Sequence, residues 1–106
     1  MRFILSALTL AFSISYASIS YASADEFGIA TYYQNPRHGG LIAAHPKLAF
    51  GTQVRVHNLD NGRYVTVIIV DRGPFARGRI IDVSTLAADI LGMRRAGIAR
   101  VRLELL

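Results

Sequence analysis

The sequence predicts a small, mainly β domain: a closed barrel carrying one short helix. Three observations lead there. Five or six short apolar runs, rich in Val and Ile, are separated by turns built from Gly, Pro, Asn and Asp. The most apolar of them, Val65 to Val70, reads as a buried strand and stops abruptly at Asp71, with Gly73 and Pro74 just beyond. The chain of 106 residues has no Cys, so a small core must be held by packing and hydrogen bonds alone, and a sheet closed on itself leaves no edge strand to protect.

The first residues are read apart from this fold. Met1 and Arg2 give a positive start, Phe3 to Phe12 an apolar stretch, and Ala22-Ser23-Ala24 a small-x-small ending. That order is the pattern of a secretory signal peptide over residues 1–24, with cleavage expected after Ala24 and a single domain over residues 25–106. Serines interrupt the apolar stretch too early for a span of about 20 apolar residues. Without Cys there is no lipid-modified N-terminal cysteine, and no stable membrane anchor is expected. Lys and Arg outnumber Asp and Glu by 12 to 7. The excess points to an anionic partner such as a cell-wall polymer, or simply to solubility. Export makes nucleic acid an unsuitable partner, and a monomer is expected.

Taken in order, Phe27 to Tyr33 alternates as a first strand. Gln34 to Gly40 is a loop, with Asn35-Pro36 and a Gly pair. Leu41 to Ala44 is a short apolar run ending in His45-Pro46. Val54 and Val56 alternate with polar neighbours across Gln53 to Asn58, so one face of that strand is buried. Asp60-Asn61-Gly62 signals a hairpin, since Asn-Gly suits a turn with positive φ. The return strand, Arg63 to Val70, delivers Asp71. Arg79 to Val83 is another strand. Ser84 is placed as the N-cap of a helix running to Leu91, which Gly92 terminates. Arg94 to Gly97 forms a turn, and Ile98 to Leu105 the last strand. Ile29, Val54, Val56, Val67, Ile69, Ile81, Val101 and Leu103 are the expected core, with Leu86 and Leu91 packing the helix against it.

Asp71 sits where a rigid strand meets a loop, so it is held in place yet reaches solvent. Its plain alternative role is to cap the turn's own N–H groups. Asp82 reads as support for the helix start at Ser84. Arg94 and Arg95 read as a solvated turn and His57 as a surface strand residue. The three His show no metal-ligand spacing, and no cofactor is expected.

A wider pattern joins these segments: Gly28-x-Ala30-x-Tyr32-Tyr33, Ala43-Ala44-His45, Leu48-x-Phe50-Gly51-Thr52, Val54-Arg55-Val56-x-Asn58, Asp71-Arg72-Gly73-Pro74-Phe75, Gly78-Arg79-Ile80-Ile81-Asp82-x-Ser84, Leu91-Gly92-Met93 and Gly97. In order and spacing it resembles the rare lipoprotein A (RlpA) family of septal-ring lytic transglycosylases. The resemblance implies a six-stranded double-psi β-barrel, shared with expansins and barwin-like proteins. It also implies cleavage of the β-1,4 bond between N-acetylmuramic acid and N-acetylglucosamine of peptide-stripped peptidoglycan strands, leaving 1,6-anhydro ends. Such an enzyme acts in the periplasm or at the cell wall. Family residues carry over onto Asp71 and His45. The family's Glu, in a Thr-Ala-x-Gly-Glu segment, has no counterpart. Only Gln34 to Gly40 lies between Tyr33 and Leu41, and no acidic residue stands between Glu26 and Asp60.

A transglycosylase of this kind uses the sugar's own 6-hydroxyl as nucleophile, so one carboxyl group can serve both as acid and as base. On that reading Asp71 is the acid/base. His45 assists by orienting sugar, stabilising charge or sharing the proton; its plain alternative is a loop histidine bonded to nearby backbone. Tyr32 and Tyr33 are candidates to stack on sugar faces, with one of the two in the core by strand alternation. Arg72 either binds substrate or braces Asp71. The alternative function is a catalytically silent glycan-binding or wall-loosening module.

Overall fold

The computed structural model describes residues 25–106; the expected leader lies outside the described residues. Six strands and one helix follow in order: β1 (Glu26–Tyr33), β2 (Ile42–Ala44), β3 (Gln53–Asn58), β4 (Tyr64–Asp71), β5 (Arg79–Ser84), α1 (Thr85–Leu91) and β6 (Ala99–Leu105). They close into a barrel in the order β1-β5-β2-β4-β3-β6. The pairs β1/β5 and β2/β4 are parallel, and the other four contacts are antiparallel. This mainly β barrel with one helix is the expected fold class.

The β3–β4 hairpin shows how the sequence builds the wall. Val54 faces Val67 and Val56 faces Val65 across the pair, and all four point into the core. Gly62 turns the tip with φ 78°, as Asn61-Gly62 predicts. The tip is also anchored from outside, because Asn58 Nδ2 and Asn61 Nδ2 both donate to the Leu91 carbonyl at 2.9 Å. Those two bonds tie the hairpin to the end of α1. β4 is less buried than its composition implies: Ile68 is 40% exposed, so the strand buries one face by alternation.

The core holds Val54, Val56, Val67, Ile69, Ile81, Val101 and Leu103, all at 2% exposure or less. Burying each such side chain contributes about 1.5–3 kcal/mol. Ile29 is the exception among the expected core residues. It is half-buried, and Ala30 takes the inward place. The register explains the switch: Ile29 pairs with Arg79 but Ala30 with Ile81, so Ile80 is an extra residue in β5 and the inward phase resets. Gly28 is required beside it, since a Cβ there would lie 2.6 Å from Ile80 Cγ2.

The helix starts and stops as its sequence dictates. Ser84 Oγ accepts from the Ala87 N–H at 3.2 Å, and Gly92 ends α1 in the left-handed region at φ 70°. Ala87, Ala88 and Leu91 face the barrel. Leu86, expected to pack inward, is instead 50% exposed, because it falls outside the stripe those three residues define.

Candidate active site

Asp71 ends β4 at the rim, and two donors meet its carboxylate. Arg72 donates its backbone N–H to Oδ1 at 2.9 Å. The Tyr33 hydroxyl, at the end of β1, donates to Oδ2 at 3.4 Å. The loop after β1 folds over the same place. Asn35 Nδ2 donates to the Tyr33 hydroxyl at 3.0 Å, while Asn35 Oδ1 accepts from the N–H groups of Arg37 and His38 at 2.7 and 3.0 Å. Asn35, Pro36, Arg37, His38, Val70 and Asp71 enclose a cavity of about 260 Å³. Asp71 is its one acidic residue, and the short loop supplies Arg37 and His38 opposite it.

Register places a second carboxylate close by. Ala44 of β2 pairs with Asp71 on one side and Asp82 on the other, and Asp82 pairs in turn with Thr31. With neighbouring strands about 4.8 Å apart, the two Asp backbones stand about 10 Å apart across one alanine. The N-cap of α1 is Ser84, and Asp82 makes its hydrogen bond elsewhere. Its Oδ1 accepts from the Thr31 hydroxyl. Both carboxylates act on Tyr33. Burial pushes its phenol above the usual tyrosine range, the charges of Asp71 and Asp82 push the same way, and the hydrogen bond from Asn35 opposes them.

His45 follows β2, and its backbone N–H donates to the Asp71 carbonyl at 3.0 Å. The two main chains are thus adjacent, but their side chains have separate partners. The imidazole is buried. Its Nδ1 accepts from the N–H groups of Lys47 and Leu48 at 3.0 and 3.1 Å, and its Nε2 lies 2.9 Å from Glu26 Oε1. Arg72 Nη1 donates to the carbonyls of His45 at 3.1 Å and Leu48 at 2.6 Å. The guanidinium also lies over the Phe50 ring, 4.3 Å from its centroid. Tyr32 turns away: its ring packs against the core and its hydroxyl donates to the Arg94 carbonyl at 3.0 Å.

Glu26, Asn35 and the Thr31–Asp82 pair are members of this region that sequence reasoning missed. Asp82 carried a usable signal, since a carboxylate inside an apolar strand needs a partner. Glu26 carried none.

The strand order, with two parallel pairs inside a closed six-stranded sheet, defines a double-psi β-barrel, here with a carboxylate at its rim. The lytic transglycolase family matches residues 26–103, and the chain belongs to that family. It is 61% identical over 66 residues to a probable endolytic peptidoglycan transglycosylase RlpA of Nostoc sp., covering 62% of this chain and 18% of that protein. It is 43% identical over 89 residues to the endolytic peptidoglycan transglycosylase RlpA of Pseudomonas aeruginosa, covering 73% of this chain and 26% of that one. With the Aquifex aeolicus relative the identity is 52% over 83 residues, 67% of this chain and 37% of the relative. The chain therefore spans well under half the length of these curated relatives. Among solved structures, an expansin of Clavibacter michiganensis superposes with TM-score 0.66 at 21% identity, over 78% of this chain and 50% of that one. A Streptomyces papain inhibitor gives 0.64 at 21% identity, over 78% and 94%. Both share the fold.

Proposed function

We propose that this domain is a peptidoglycan lytic transglycosylase that cleaves the bond between N-acetylmuramic acid and N-acetylglucosamine, acting outside the cytoplasm after export by its leader. The observation that carries the reading is the setting of Asp71. It is the one carboxylate of a rim cavity, oriented by two donors and reachable from solvent. Family membership and the names of the relatives support the same substrate class.

In the proposed reaction the Asp71 carboxyl group protonates the bridging oxygen as the C1–O4 bond breaks. The muramic acid's own O6 then bonds to C1, and the Asp71 carboxylate takes the O6 proton, restoring the acid. No water is consumed, and one group suffices for both transfers. Tyr33 and Arg72 keep the carboxylate in place from either side. Arg37 and His38 offer cationic and hydrogen-bonding contacts to the sugar.

Asp71→Asn tests this directly. The amide oxygen still accepts from the Arg72 N–H, so the fold should survive with an unchanged melting temperature. Formation of 1,6-anhydro product, read by mass on purified glycan strands, should fall by on the order of a hundredfold to ten-thousandfold. Wild-type protein that binds glycan without making product would instead favour a silent binding module.

A further inference from the structure

We propose that His45 is a positioning residue that exchanges no proton with substrate: as the Nε2–H tautomer it folds the 45–48 turn whose carbonyls hold Arg72 beside Asp71. The inference rests on the reading of Asp71 as acid/base and assigns His45 and Glu26 their parts in that site.

The hydrogens decide the tautomer. Two backbone N–H groups, from Lys47 and Leu48, point at Nδ1, so that nitrogen is the acceptor. A neutral imidazole keeps one N–H, which must then sit on Nε2 and be donated to Glu26 Oε1. Both ring nitrogens are thus occupied inside the protein, and the ring itself is buried. No nitrogen is left to face a sugar.

What the ring organises is visible in its neighbours. Holding the Lys47 and Leu48 N–H groups fixes the turn that carries the Leu48 carbonyl. That carbonyl and the carbonyl of His45 both receive Arg72 Nη1, and it is the backbone N–H of Arg72 that donates to Asp71 Oδ1. Glu26 acts from the start of β1 by anchoring Nε2–H. The molecule also shows which side chain could replace the imidazole. Asn35 accepts from the N–H groups of the second and third residues after it, which is the arrangement around His45 Nδ1.

The experiment compares His45→Asn with His45→Ala. Asn keeps an acceptor for the Lys47 and Leu48 N–H groups but has no imidazole. With melting temperature and anhydro product read on the same preparations, His45→Ala should lose on the order of a hundredfold in kcat/KM through misplacement of Arg72 and Asp71. His45→Asn should recover most of that loss. Glu26→Gln, which keeps an acceptor for Nε2–H, should lose far less than Glu26→Ala. Long-range proton–nitrogen NMR should find the His45 hydrogen on Nε2. A folded His45→Asn as inactive as His45→Ala, or a hydrogen on Nδ1, would overturn the proposal. If His45→Ala does not fold, His45→Asn against wild type decides. Wild type that makes no anhydro product would overturn the enzymatic reading, and the NMR tautomer would then decide the role of His45.

Discussion

Two loops leave β1 and β2 beside Asp71, and one hydrogen-bonding arrangement serves both through different side chains. Asn35 gathers the N–H groups of Arg37 and His38 with its amide oxygen, and its amide nitrogen donates to Tyr33. His45 gathers those of Lys47 and Leu48 with Nδ1, and its Nε2 is taken by Glu26. The Asn35 loop is exposed and borders the cavity, whereas His45 is buried and braces Arg72. One type of turn is therefore used once as the rim of a cavity and once as an internal support. The difference teaches that two side chains whose backbones are hydrogen-bonded neighbours, His45 and Asp71, can hold entirely separate sets of partners.

The comparison can be broken at several strengths. The largest effect is expected from His45→Ala, which strands two part-buried N–H groups and should cost about 1–3 kcal/mol in denaturant-measured stability. Asn35→Ala exposes the same kind of donors to water and should cost less than about 1 kcal/mol by the same assay. A larger loss at Asn35 than at His45 would reverse the roles assigned to the two loops.

A finer probe is the Tyr33 phenol, which both Asn35 and Asp71 contact. Its ionisation is displaced upward, chiefly by burial. A group whose folded-state value is raised contributes stability that is present below about pH 10 and is lost as pH rises through the folded value. Ultraviolet titration, with Tyr33→Phe as the blank, should show this phenol ionising late. Asn35→Ala should move it later still, and Asp71→Asn earlier, because the first removes a lowering contact and the second a raising one.

The smallest effect is expected at the surface pairs remote from both loops. Arg100 holds the Asp60 carboxyl below the usual range, and His57 does the same for Glu104. Such depressed groups contribute stability above the ordinary carboxylate range that is lost as pH falls through their folded values. Both are solvent-screened, so Arg100→Ala should flatten the acid limb of a melting-temperature profile only slightly.

Much of this architecture was legible in the sequence because it rests on local rules. Alternation at Val54 and Val56, the Asn61-Gly62 turn, and Ser84 and Gly92 at the ends of α1 each act within a few residues. Ile29 was misplaced because a bulge at Ile80 is a property of two paired strands. Leu86 was misplaced because a seven-residue helix has room for only a narrow inward stripe. At the site, Asp71 was legible from the strand that ends there. The Glu26 contact with His45 and the Thr31 contact with Asp82 join residues 19 and 51 positions apart. The Thr31–Asp82 contact follows from the pairing of β1 with β5 and the Glu26–His45 contact from the closed sheet, and no local pattern encodes either.

That closure also sets an order of assembly. β6 lies between β3 and β1, and β1 pairs only with β5 and β6. β1 therefore meets both of its partners only after β5 and β6 have been made. Until Leu105 is available β1 and β3 each lack a neighbour, and the nascent chain holds no finished barrel. A sheet wired in this way cannot close before β6 is present.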